Sequence, residues 1–481
     1  MRGFTRPRRF LRGAEAIAAA FLVTAPASAQ ETETAPASLE DAVAADYPYV
    51  EALYKYLHAN PELSFKEEKT AARLAEELRG LGFTVTEKVG SAWTIAKARS
   101  NAGEVRDGVD GYGLVGVLEN GPGPTLLIRT DMDALPLKEK TGVDYASTVV
   151  DVDYRGVEAP VMHACAHDTH MAIWVGVARR LVAMKDAWAG TLVMVAQPAE
   201  ELGLGALAMI DDGLFTKFPR PDYNLALHTF GGLPAGQIYQ TEGFALANVD
   251  SVDIFVRGVG GHGSRPHTAK DPIVIGAQIV NALQTLVSRE VSALDSAVVT
   301  VGAFNAGFKH NIIPDEAHLQ ITVRSYKQSV REQLIAGIKR IAEAQARSAG
   351  VPEDKMPRVV VDADPLIATY NHPDLTRRIA ATVTRELGDG AVSPREPIMG
   401  GEDFAYFGTQ APEIPSVMFF LGGTDPAEIA KYEKVGMKSP SNHSPLFAPD
   451  PEPTLTAGVR AMTAAALDLL TPERAPAPEG L

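Results

Sequence analysis

Three short apolar runs constrain this chain more than any other feature: Thr125–Thr130, Thr191–Ala196 and Asn224–Leu227. Each is too short for a buried helix and is bounded by polar or turn residues. A helical stretch, Met171–Met184, lies between the first two. Strands that read as continuous apolar runs are buried on both faces, and parallel neighbours need helical crossovers. The expected fold class is therefore α/β, with a mostly parallel sheet and helices on both faces. Upstream, Glu67–Leu81 has helical spacing, with Ala71, Leu74, Ala75 and Leu78 on one face and Gly80 and Gly82 ending it. At 481 residues the chain exceeds what one core sustains, about 250–300 residues, so more than one domain is expected.

From about Asn248 the pattern changes. Asp250–Arg257 alternates with period two, as do 296–304 and 317–325, the signature of strands with one wet face. Helical patterns fill Ile273–Arg289 and Val330–Ala349, and Arg358–Asp362 is a further strand. Strand-helix-strand-strand-helix-strand is the split βαβ order, a ferredoxin-like α+β unit. Asp374–Leu387, Ser416–Leu421 and Leu455–Leu470 then resume the first pattern as helix, strand and helix. The expected organisation is a first domain in two parts, 30–247 and 363–481, interrupted by an inserted domain at 248–362.

Residues 1–29 stand apart. Five arginines (Arg2, Arg6, Arg8, Arg9, Arg12) precede the apolar run Ala16–Val23, and Ala27-Ser28-Ala29 closes it. That is a signal-peptide pattern with an expected cleavage after Ala29, hence a periplasmic or secreted protein. The run is short of the ~20 residues of a membrane span, although an uncleaved anchor is the competing reading. Arg8-Arg9 is compatible with either general or twin-arginine export. The whole chain has 60 acidic against 45 basic residues, a net charge of −15. So acidic a chain makes a poor partner for nucleic acid or an anionic membrane. A lone cysteine, Cys165, excludes an intramolecular disulfide.

Polar clusters follow the apolar strands: Asp131-Met132-Asp133, His163–Asp168, Glu200-Glu201 and His228, with His443 further on. In open α/β sheets the carboxyl ends of the strands form the ligand crevice, so distant clusters meet at one rim. Cys165 and His167 are two residues apart and suit a borderline divalent metal. The same pair also reads as a core cysteine beside surface histidines, or as a Cys–His nucleophilic site. Adjacent residues of an extended chain point opposite ways, so Glu200 and Glu201 can divide the work, one on metal and one holding water. Alone they are an ordinary acidic turn. Asp131 and Asp133 are either orienting partners of ligating imidazoles or an Asx turn.

The stretches HANPELSFKE (58–67), RTDMDALP (129–136), MHACAHD (162–168), QPAEE (197–201), GGHGSRPHTAKDP (260–272), NIIPDEAHLQITVRS (311–325), GGEDFAYF (400–407) and NHSP (442–445) occur in an order that identifies a resemblance. The chain resembles the metal-dependent amidohydrolases and exopeptidases of the aminoacylase and carboxypeptidase-G type. Within them it is most similar to the branch of hippurate, auxin-conjugate and aminobenzoyl-glutamate hydrolases. The resemblance implies two divalent metal ions per subunit, of Zn, Mn, Ni or Co type. It implies as their ligands Cys165, His167, Glu201, His228 and His443, with the thiolate bridging. Glu200 falls at the general-base position. The insert becomes a lid and dimerisation domain, a tetramer being the other option, and His262 reaches the partner's site to hold the oxyanion. Its neighbours Gly258, Gly260, Gly261 and Gly263 suit close approach to a ligand. Asn311 and Arg324 become candidates for the substrate carboxylate, the alternative for Arg324 being a surface ion pair.

Two positions depart from the pattern. Ala166 replaces a glycine in the Cys-x-His loop, which strains the loop if its φ is positive. Gly401 stands where serine is commoner. The resulting expectation is an exported amidohydrolase cleaving N-acyl amino acids, hippurate-like or aminobenzoyl-glutamate-like, by metal-activated water with Glu200 as base. A dipeptidase or carboxypeptidase on the same scaffold is the alternative. A cysteine-nucleophile amidase and an inactive binding protein are the readings from other classes.

Overall fold

The structure is a computed structural model, and it describes residues 38–471. The segment expected to be a signal peptide, 1–29, lies outside them. The larger sheet has eight strands in the order Thr84–Val89, Gly113–Asn120, Gly190–Gln197, Thr125–Asp131, Tyr223–Pro234, Ser416–Thr424, Ile238–Gln240, Val392–Pro394. Its centre is parallel: Thr125–Asp131 lies between Gly190–Gln197 and Tyr223–Pro234, and Tyr223–Pro234 pairs with Ser416–Thr424. Antiparallel strands flank this centre, Gly113–Asn120 on one side and Ile238–Gln240 on the other. The mostly parallel α/β expectation holds. The antiparallel strands Thr84–Val89 and Gly113–Asn120 carry no signal that the sequence analysis used.

Helices cover both faces. On one, Leu39–Ala59, His167–Ala183 and Pro451–Leu470 pack together, burying Leu53, Tyr54, Trp174, Val459 and Met462 against sheet residues Leu126, Ile128 and Phe419. On the other, Ala206, Met209, Phe404 and Phe407 cover Leu127, Val193, Val195 and Phe420. Each fully buried large side chain contributes roughly 1.5–3 kcal/mol to this packing. Among the described residues no helix is long and apolar enough to cross a membrane.

Residues 248–361 form a second sheet, four antiparallel strands in the order Ala297–Ala306, Glu316–Ser325, Asn248–Arg257, Arg358–Val361. Register follows the period-two pattern: Val252 faces Ile321, Ile254 faces Leu319 and Val256 faces Ala317, all buried. Helices Pro272–Thr285 and Gln328–Ser348 close that face with Ile275, Ile279, Leu283, Leu334 and Ile338. The sheet and helix order is that of the expected ferredoxin-like unit.

Two local readings change. The strand after Asn224 does not stop at Leu227 but runs to Pro234, because its parallel pairing continues through His228↔Phe420 and Thr229↔Leu421. The helix expected from Met171 begins at His167, directly after Ala166 at φ +69°.

Candidate metal centre

Four loops deliver the polar side chains to one rim. Strand Thr125–Asp131 ends in Asp131 and is followed by Asp133. The turn before helix His167–Ala183 presents Cys165 and His167. The turn after Gly190–Gln197 presents Glu200 and Glu201. His228 projects from within Tyr223–Pro234, and a loop after Pro426–Glu433 brings in His443. Cys165 Sγ lies 3.6 Å from His228 Nε2 and 3.3 Å from His443 Nε2. His167 Nε2 lies 3.6 Å from Glu200 Oε2 and 3.9 Å from Glu201 Oε1, and His443 Nε2 is 3.5 Å from that same oxygen.

Donor atoms of Cys165, His167 and His228 fall within 4.8 Å of one another, as do those of Cys165, Glu201 and His443. Cys165 belongs to both triples, the arrangement a bridging thiolate requires. Ligands bound tetrahedrally at about 2.0–2.3 Å stand roughly 3.5 Å apart, which is the spacing here. His167 Nε2 and Glu201 Oε1 are buried with no hydrogen-bond partner among the described residues. A soft thiolate, three imidazoles and a carboxylate, with two buried atoms unpartnered, fit a pair of borderline divalent cations.

The electrostatics point the same way. Burial, and then the Glu201 charge, push the Cys165 thiol up. Burial, with Glu402 and Glu201 nearby, pushes Glu200 well up. Bonds to Cys165 and Glu201 raise His443 to about 10. Without a cation, then, Cys165, Glu200 and His443 favour their protonated forms, whereas burial beside His170 pushes His228 well down. A bound divalent ion would favour the thiolate and the charged form of Glu200 instead.

The imidazoles are fixed from behind. Asp133 O accepts from His167 Nδ1 at 2.7 Å, and Thr229 O lies 3.0 Å from His228 Nδ1, so each ring turns Nε2 to the cluster. Asp133 also receives the backbone N–H groups of Glu200 and Glu201, both at 3.0 Å, and the Ser64 hydroxyl at 2.6 Å. The expectation of an extended Glu200-Glu201 pair is thus corrected: the two sit in a tight 3₁₀ turn after Ala199 at φ +51°. Their carboxylates reach the same imidazole because Asp133 gathers both amides.

Several contributors carried no assigned role in the sequence. Arg129 is fully buried and its guanidinium joins Asp131 (2.7 Å), Glu402 (2.8 Å), Asp403 (3.2 Å) and Gln197 (3.0 Å). His170 donates to Asp131 and accepts the Thr229 N–H, both at 2.7 Å, tying His228's strand to Asp131's. Asn442 donates to Thr229 O (2.9 Å) and Cys165 O (3.1 Å) and accepts from Gly231 N (2.8 Å), so one amide fixes three ligand-bearing segments. Glu67 accepts the Ala199 N–H at 2.8 Å. All of these but His170 lie inside the ordered motifs, and only their partners in space reveal what they do.

Strain collects at the rim. Ala166 (+69°), Ala199 (+51°) and His443 (+65°) are three of the five non-glycine residues with positive φ among those described. Strain at Ala166 is expected if its φ is positive, and it is. Gly401 has a simpler cause: a Cβ there would come within 2.7 Å of Leu366 Cδ1 and of Val249 Cγ2.

The insert's candidates stand elsewhere in this chain. His262 is exposed on the short pair Gly261–His262 / Ile312–Ile313, beside Asn311, and neither makes a hydrogen bond to the five ligands. The His262 Nδ1 accepts the Ser264 N–H at 3.1 Å, so the neutral ring carries its proton on Nε2. Gly258 and Gly260 serve close backbone approach, a Cβ meeting Lys270 O at 2.3 Å and Ile313 O at 2.9 Å respectively. Arg324 makes no ion pair among the described residues. It donates to Met399 O at 2.5 Å, on the segment that leads to Glu402.

Comparison with known proteins agrees with this geometry. A family model described as peptidase family M20/M25/M40 matches residues 127–439. A thermostable carboxypeptidase 2 from Saccharolobus solfataricus is 35% identical over 396 residues, 82% of this chain and 88% of the relative. A hippurate hydrolase from Campylobacter jejuni is 36% identical over 73% of this chain and 82% of its own length. A solved dinuclear metal-binding peptidase from Bacillus subtilis superposes with a TM-score of 0.67 at 26% identity, covering 89% of this chain and 99% of that one.

Proposed function

Because this chain belongs to peptidase family M20/M25/M40 and is a metal-dependent amidohydrolase, we propose that it cleaves the amide bond of N-acyl amino acids, hippurate-like or aminobenzoyl-glutamate-like, after export from the cytoplasm. The observation that carries this reading is the convergence of Cys165, His167, Glu201, His228 and His443 around one open rim, with Glu200 beside them. Those five residues would hold two divalent ions, which supply Lewis acidity to the scissile carbonyl and acidify water.

The chain's own groups account for the proton traffic. The Glu200 carboxylate has no hydrogen bond of its own among the described residues, so it is free to take the proton of the attacking water. Its buried, anion-flanked setting favours the protonated form, which then delivers the proton to the leaving nitrogen. His262, with Nε2–H directed outward from an exposed hairpin, is suited to donate to the tetrahedral oxyanion of a partner subunit in a dimer. Asn311 beside it and Arg324 are the candidates for the amino acid's carboxylate.

The test is hydrolysis of hippurate, aminobenzoyl-glutamate, N-acetyl amino acids and dipeptides by metal-stripped enzyme, with and without added Mn²⁺, Zn²⁺, Co²⁺ or Ni²⁺. Metal-restored cleavage of an acyl amino acid is the expected result. Silence across the panel in protein that binds no metal would overturn the reading. A second reading, release of a carboxy-terminal amino acid from peptides, is favoured by the carboxypeptidase relative. Faster cleavage of dipeptides than of acyl amino acids would establish it.

A further inference from the structure

Arg395 is placed unlike any other cation near the rim. Its backbone is pinned on both sides, its N–H donating to Gln240 O and its carbonyl accepting from Thr241 Oγ1, each at 2.8 Å. The side chain lies over Phe230, 4.4 Å from guanidinium to ring centroid, and over Phe420 at 5.1 Å. Phe230 in turn packs 4.7 Å from the ring of His228, so two successive ring contacts connect the guanidinium to a proposed metal ligand.

A guanidinium offers five N–H donors. Among the described residues those of Arg395 find no acceptor and no carboxylate, and Nη1 is buried without any partner. Stacking on two aromatic rings offsets part of the desolvation but satisfies none of the donors. The chain has 60 acidic side chains against 45 basic ones, so a structural partner would be easy to supply. By contrast Arg129, fully buried in the site, is surrounded by three carboxylates. A half-buried cation held two ring contacts from His228, with its donors unspent, is suited to an anion that arrives with the substrate.

We infer that Arg395 is a specificity residue that binds a carboxylate of the substrate, making the natural substrate an anionic amide whose charge sits within reach of the Phe230 shelf. This rests on the amidohydrolase reading above. The carboxylate has three possible positions on an acyl amino acid: the α-carboxylate, an acidic side chain, or a dicarboxylic acyl group.

Matched pairs that differ only by a carboxylate or its carboxamide separate these positions: benzoyl-glycine and its glycinamide, benzoyl-glutamate and benzoyl-glutamine, succinyl-glycine and succinamoyl-glycine. In the metal-loaded native protein, at least one pair is expected to favour the carboxylate through KM. In Arg395→Met, which keeps an apolar stem over Phe230, KM for that carboxylate should rise about 10–100-fold. The change in kcat should stay within about threefold, the carboxamide should be unaffected, and metal stoichiometry should be unchanged. Arg395→Lys, which keeps the charge, should restore most of the loss. No carboxylate preference in any pair, or a preference that survives in Arg395→Met, overturns the inference. If no pair is cleaved at all, the amidohydrolase reading fails instead. Calorimetric binding of benzoyl-glutamate to the native protein and to Arg395→Met then still decides on Arg395, equal affinities counting against it.

Discussion

The insert and the metal rim are built on opposite terms. In residues 248–362 every buried strand residue alternates with a wetter one, and no non-glycine residue has positive φ. None of the buried side-chain atoms without a partner falls there either. At the rim, three non-glycine residues sit in left-handed backbone, and His163, His167, Glu201 and Glu402 each hide a polar atom with no partner. The insert is locally consistent from propensity to packing. The rim forgoes such consistency in order to crowd charge where cations and substrate will sit.

The sharpest way to break that contrast is at the rim. His167→Ala should lose metal and with it activity, while Glu200→Gln should keep both ions and lose at least ~10²-fold in kcat, read by metal analysis and steady-state kinetics. If Glu200→Gln turns over normally, the crowded rim is not there for general-base chemistry. In the insert the balance should invert. Ile254→Ala opens a cavity in the second core and should cost about 2–5 kcal/mol in urea unfolding, leaving metal stoichiometry unchanged.

A third prediction concerns the rim's buried support. His58 is buried between Asp168 (2.6 Å) and Glu139 (3.0 Å). Burial opposes its charge, but the two acids prevail and raise its pKa from 6.5 to about 9. A raised histidine stabilises fully below its unfolded pKa and ceases to as pH climbs through the folded one. The same pairing holds Asp168 and Glu139 low, so their share is lost toward acid. Stability of the metal-free protein should therefore decline between pH 6.5 and about 9.5, by on the order of 3 kcal/mol, and His58→Phe should flatten that slope. The smallest effect belongs to Ala166→Gly. Relief of a left-handed alanine is partly cancelled by a looser unfolded chain, leaving a gain of up to ~1 kcal/mol in urea unfolding.

Much of this was legible before the fold. The insert's strands announce themselves by period two because one face is wet, and the register merely pairs what the pattern marks. The five convergent side chains were legible because polar clusters after apolar strands must meet at a sheet's carboxyl rim, and because the ordered motifs named them. Helix Leu39–Ala59 went unassigned, with Pro48 inside its pattern. The roles of Arg129, His170 and Asn442 were not legible because each depends on partners up to 277 residues away. Arg395 was hidden for the opposite reason. Its significance is the lack of a partner, which no linear pattern records.

The separation of the donors along the chain also dictates an order of assembly. One triple, Cys165 with His167 and His228, closes over 63 residues and lies wholly before the insert. The other needs His443, 278 residues beyond Cys165 and past the entire insert. A chain emerging from its amino terminus can complete the first triple while most of the second core is still unmade. The second triple must await nearly the whole polypeptide. The second triple therefore closes only once the whole insert lies between its donors, so a change that unfolds the insert should weaken that triple before the first.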